Sequence, residues 1–161
     1  MNMITFRQAW DYGGPLMWVL AGLSVIAFAV CLYLLFAQRY GALRDMLEDI
    51  RRSKDPEAAG GRIANRMYSS VEWLADIAAI APLVGLLGTV LGMFSAFGGI
   101  ASDVAANAKP VVLAQGVSQA IVTTIFGLAV AIPSLAAYAW FRRRTAKRVA
   151  QLEEMADEVL K

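Results

Sequence analysis

Two apolar stretches, APLVGLLGTVLGMFSAF from Ala81 to Phe97 and GVSQAIVTTIFGLAVAIP from Gly116 to Pro133, decide how this sequence folds. Neither carries a charge and both are rich in glycine and alanine. Both also hold hydroxyls: Thr89 and Ser95 in the first, Ser118, Thr123 and Thr124 in the second. Charge-free runs of this length are expected to be helices that cross lipid, because a helix satisfies its own backbone N–H and C=O groups where water is absent. Extended outward, the first run reaches from Ile77 to Ala101 and the second from about Val111 to Phe141. Each exceeds the roughly 20 residues that a ~30 Å hydrocarbon layer requires.

The rest of the chain agrees. With 58% apolar and only 17% charged residues among its 161, it is too apolar for an ordinary soluble domain. Leu16 to Ala37 is a further uncharged run, reaching about 33 Å as a helix. It reads as a retained anchor and not a cleaved signal: one basic residue precedes it, its core is too long, and no small-residue cleavage site precedes Arg39. The expected fold is an all-α membrane protein with three transmembrane helices. Its segments are an N-terminal stretch 1–15 broken by Gly13-Gly14-Pro15, spans at 16–37, 76–101 and 111–141, a helical loop 38–75, a short turn 102–110, and a tail 142–161.

Within the loop, Tyr40, Leu43, Leu47 and Ile50 keep helical spacing, which predicts that the first span runs on as an amphipathic extension. Asp55-Pro56-Glu57 reads as a helix start, Gly60-Gly61 as a hinge, and Ser69 with Glu72 as a capping box opening the next helix. In the tail, Thr145, Val149, Leu152, Ala156 and Val159 predict an amphipathic helix to the terminus. Of the Lys and Arg residues, seven lie in the loop, six in the tail and two on the other side (Arg7 and Lys109). Positive segments stay in the cytoplasm, so the N-terminus is expected outside and the loop and tail inside.

Helices in lipid associate through close packing, which small residues permit. Gly85, Gly88, Gly92, Ser95 and Gly99 form one small face, joined on the third span by Ala120, Thr124, Gly127 and Ala131. These faces either pack on each other within one subunit or receive another chain. A threonine in such a helix ordinarily bonds the carbonyl one turn back. Here, though, Thr89, Thr123 and Thr124, with Gln119 and Gln115 at helical spacing, look like the lining of a wet path, since a glutamine amide in hydrocarbon needs a partner or water. No Asp, Glu, Lys, Arg or His lies between Leu16 and Ala37, between Ile77 and Ala101 or between Val111 and Phe141. If the path carries protons, a partner helix must bring the carboxylate. Histidine is absent and Cys31 is the sole cysteine, which excludes an intrachain disulfide, a Cys/His metal set and Ser-His-Asp hydrolysis. No enzyme activity, cofactor, metal or nucleic-acid partner is expected.

The two opening stretches resemble the signature segments of the MotA/TolQ/ExbB proton-channel family, the match being closest to a short ExbB-like or TolQ-like subunit. The pattern APxxGLxGTVxGM is met by Pro82, Gly85, Gly88, Thr89, Val90 and Gly92. The pattern G(I/V)xxAxxxTxxGLxxAIP is met by Gly116, Ala120, Thr124, Gly127, Leu128, Ala131, Ile132 and Pro133. The resemblance implies an inner-membrane homo-oligomer, typically a pentamer, around the single-span helices of an ExbD- or TolR-like protein that supplies a membrane aspartate. Thr89 and Thr124 fall on the family's pore threonines, Thr123 and Gln119 stand beside them, and Pro82, Gly85, Gly88, Gly92, Ala120, Gly127, Ala131 and Pro133 serve close helix packing. Proton flow would drive motion passed to a TonB-like protein for outer-membrane transport, or in a TolQ-type system to envelope maintenance. A non-conducting oligomeric scaffold is the competing expectation. Two features depart from the pattern: Gln119 stands where a glutamate is common, and the cytoplasmic loop is short.

Overall fold

The computed structural model describes residue 10 and residues 13–40, 43–53, 55–101 and 109–160. Most of the N-terminal stretch and of the turn expected at 102–110 lies outside the described residues. Among the described residues, helices run in the order α1 (Leu16–Tyr40), α2 (Leu43–Arg52), α3 (Pro56–Ala101) and α4 (Lys109–Leu160), and no strand occurs. Three of them, α1, α3 and α4, are long and apolar enough to cross a membrane. At 46 and 52 residues, α3 and α4 reach about 69 and 78 Å, more than twice the ~30 Å hydrocarbon layer, so each carries a long extension beyond it.

The chain packs as two units, Met1–Ala27 with Ile77–Pro133 and Phe28–Asp76 with Ser134–Lys161. In the first, Met17, Leu20 and Val122 are buried together, with Trp10, Leu23, Val84 and Phe126 against them. Gly14 has a φ of +64°, the left-handed conformation that glycine adopts without a Cβ clash, and it turns the chain into α1. The break expected at Gly13-Gly14-Pro15 is therefore present.

The second unit has two apolar clusters. Leu34, Val71, Leu74 and Phe141 form one, and Ile50, Ala59 and Leu152 the other, flanked by Met46, Leu47, Ile63 and Met67. The α4 tail contributes Thr145, Val149 and Leu152, all buried, at the spacing read from the sequence. Basic side chains at the end of the apolar run lie over rings, Arg142 over Tyr138 at 5.8 Å and Arg144 over Trp140 at 5.2 Å. Such contacts hold a cation at the edge of an apolar layer.

The continuation of the first span is helical where described, α1 to Tyr40 and α2 from Leu43, with 41–42 outside the described residues. Two local expectations for the loop change. No hinge exists at Gly60-Gly61, because packing on both sides outweighs the roughly 1 kcal/mol that each glycine costs a helix: Ala59 is buried against Ile50, and Ile63 packs on the same cluster. Nor does a helix begin at Ser69. The stretch is the interior of α3, where the Ser70 hydroxyl donates to the Arg66 carbonyl at 3.0 Å. The start at Asp55 is as read: its Oδ1 accepts the Ala58 N–H at 3.1 Å, with Pro56 as the first helical residue.

Two substitutions separate these effects in reversible unfolding of the detergent-solubilised protein. Asp55→Ala removes the cap and is expected to cost about 1 kcal/mol. Gly61→Ala, where an added methyl meets nothing within 4 Å, is expected to stabilise by up to about 1 kcal/mol. Destabilisation by Gly61→Ala would mean that this glycine is not in a helix interior.

Candidate functional site

The site is built where α3 and α4 meet backbone to backbone. A methyl placed on Gly85 would stand 3.0 Å from the Thr123 carbonyl oxygen and 3.2 and 3.4 Å from the Cα atoms of Thr124 and Gly127. On Gly127 it would stand 2.8 Å from the Ala81 carbonyl oxygen and 3.1 Å from Gly85 Cα, and on Gly92 it would lie 2.9 Å from the Gly116 carbonyl oxygen. These neighbours are backbone atoms and cannot swing aside. Gly88 forms a notch filled by the Thr123 side chain, Gly116 faces Ala96 and Gly92, and Gly99 faces Val112. As the numbers rise along α3 they fall along α4, so the two helices are antiparallel.

Each residue singled out in the sequence has a place in this frame. Ala120 and Ala131 are buried, Pro82 is half-buried inside α3, and Pro133 is inside α4 but exposed. Ser95 is exposed and Ala96, at 2% exposure, takes its position in the contact face. Ala81, at 0% exposure, completes the face at its N-terminal end. The spacing 81, 85, 88, 92, 96, 99 marks this face, with Ala96 and not the hydroxyl-bearing Ser95 on it.

The three threonines differ. Thr123 is fully buried, its hydroxyl 3.0 Å from the Ala120 carbonyl and 3.2 Å from that of Gln119. Thr89 is half-buried and donates to the Leu86 carbonyl at 2.6 Å. Thr124 Oγ1 is buried and has no hydrogen-bond partner among the described residues. An unpaired buried hydroxyl costs about 1–3 kcal/mol, and such a group in an otherwise well-packed helix pair marks a place where a polar partner fits.

Direction follows from the helical repeat. On α3, Val84 packs toward the α1 cluster and the glycines toward α4; Thr89, five residues past Val84, is turned about 140° from it. On α4, Val122 packs in the α1 cluster and Thr123 on α3; Thr124 is turned about another 100° in the same sense. Thr89 and Thr124 thus share the flank of the α3–α4 pair that faces away from α1. Gln119 is not on that flank. It is turned about 140° from Thr124, and its amide meets the Gly14 turn, where an added methyl would stand 2.9 Å from Nε2. The flank bearing the two threonines is otherwise apolar, with Leu86, Ile121 and Leu128 exposed along it. Chemically it offers two hydroxyls, one of them unengaged, and no charge.

Comparison with known proteins points the same way as these two stretches. The model of the MotA/TolQ/ExbB proton channel family matches residues 35–154. The chain is 34% identical over 137 residues to the biopolymer transport protein ExbB of Salmonella typhimurium, covering 78% of this chain and 55% of that protein. To ExbB of Pseudomonas putida it is 35% identical over 132 residues, 73% of this chain and 40% of the relative. To the Tol-Pal system protein TolQ of Pseudomonas aeruginosa it is 32% identical over 113 residues, 70% and 47% of the two chains. The chain spans about half the length of the curated relatives it matches. Because the match runs through the whole of α3 and along α4 to residue 154, the chain belongs to the MotA/TolQ/ExbB proton channel family.

Proposed function

We propose that the chain is a proton-conducting subunit of a bacterial inner-membrane motor, using the proton gradient to energise a periplasm-spanning partner of the TonB kind. The observation that carries this reading is the buried, unpartnered hydroxyl of Thr124, on the same helix flank as Thr89. A hydroxyl both donates and accepts, so it can solvate a proton or a water without titrating. The uncharged runs 16–37, 77–101 and 111–141 contain no acid. The proton-accepting carboxylate therefore comes from a second protein, a single-span subunit of the ExbD or TolR type whose aspartate stands against the Thr89–Thr124 flank. Several copies of the chain, five in the arrangement the family suggests, surround that helix. The N-terminus is periplasmic and the α2 and α4 extensions cytoplasmic, in keeping with the distribution of Lys and Arg.

Two other readings have a specific observation behind them. Similarity to TolQ favours a role in envelope maintenance, with the same proton path and a different driven partner. The α3–α4 contact favours a non-conducting scaffold, because the small residues already have a use inside one chain.

Proton-gradient-dependent activity of the intact complex distinguishes conduction from scaffolding. Thr124→Val and Thr89→Val are each expected to lower it about tenfold or more, the size of losing one hydrogen bond to a charged group, with the oligomer retained. Thr124→Ser, which keeps the hydroxyl, is expected to retain activity. Full activity in both valine variants would remove the pore assignment. Gly127→Val, by contrast, is expected to abolish assembly, because its side chain meets the Ala81 carbonyl; size-exclusion chromatography of the purified membrane fraction reads this.

A further inference from the structure

Gln119 sits on α4 at the level where α1 begins. From Lys109 the helix has run ten residues, about 15 Å along its axis, when its amide meets the turn that opens α1. In that turn Gly14 has a φ of +64°, a conformation that disfavours any residue with a Cβ. A methyl there would also stand 2.9 Å from Gln119 Nε2 and 3.8 Å from its Cδ. The turn is closed by the Met17 N–H donating to the Gly14 carbonyl at 3.1 Å. Beside it Met17, Leu20 and Val122 are buried, with Trp10 packed on them.

A primary amide in apolar surroundings is costly unless peptide groups or water are within reach. Gly14, having no side chain, leaves the space beside the turn in which the Gln119 amide stands. The same geometry leaves Gln119 about 140° around α4 from Thr124. The chemistry agrees, since an amide neither takes up nor releases a proton near neutral pH.

We propose that Gln119 is a positioning residue whose amide latches α4 to the Gly14 turn, fixing where α1 starts against the threonine-bearing helix and taking no part in the proton path. The left-handed glycine and the amide are then one device: the glycine provides the space and the glutamine fills it.

A double-mutant cycle in the full chain, within its membrane complex, tests the latch. Gly14→Ala is expected to lower Tm by several degrees. Adding Gln119→Ala is expected to restore a substantial part of the loss, because the steric component disappears with the amide. Alone, Gln119→Ala is expected to speed hydrogen exchange at the Met17 amide about tenfold. Strict additivity of the two substitutions, or unchanged exchange at Met17, would overturn the latch. So would a proton flux that Gln119→Ala abolishes while exchange at Met17 stays as in the parent. Tm and exchange need no proton flux, so they judge the latch even if the conducting reading fails.

Discussion

The distance between the α3 and α4 backbones governs the rest of the molecule. Two helices in lipid gain nothing from excluding water, because the lipid tails they displace are as apolar as their own side chains. What remains is dispersion, which needs contact. At Gly85, Gly92 and Gly127 the contact is between backbones, with no space for even a methyl group. That approach seats Thr123 in the notch of Gly88 and leaves its hydroxyl on carbonyls of its own helix. The next residue, Thr124, is carried around the helix to the opposite flank, where its hydroxyl is buried but unengaged. One contact face thus positions both a packing threonine and a chemically available one.

A second constraint comes from water at the helix ends. An apolar layer cannot accommodate α3 and α4 along their whole length, and their outer parts are amphipathic where the spans are not. Ile50, Ala59 and Leu152 bury the apolar stripe of those parts, the Asp55 carboxylate caps the first turn of α3, and Glu48 pairs with Arg52 at 3.6 Å on an exposed face. Such an exposed pair contributes little by itself. Apolar burial and the cap hold these segments together.

Much of this was legible because it is local. Uncharged runs of sufficient length read as candidate spans, and the first of them lies in a helix, α1, that is long and apolar enough to cross a membrane. The tail's 4,3,4,3 spacing identified Thr145, Val149 and Leu152 as an inward face, and all three are buried. Where the local reading failed, it weighed a propensity against packing it did not know about. Gly60-Gly61 reads as a hinge by propensity, yet the helix passes through because its neighbours are anchored. Ser69 and Glu72 fit a cap, yet no helix end exists there to cap.

For the candidate site the division is sharper. Composition and helical period, which need no partner to be read, are enough to show that small residues and hydroxyls share the second and third uncharged runs and that no acid accompanies them. Which hydroxyl is engaged, and by what, was decided by the tertiary structure alone. Thr123 and Thr124 are adjacent and chemically identical, and only the position of Gly88 on another helix makes one a packing group and leaves the other unpartnered. Gln119 likewise follows the threonines' spacing, but it faces Gly14, more than a hundred positions away in the sequence. A helical period specifies the angle of a side chain about its own axis; what lies at that angle depends on how the other helices are placed.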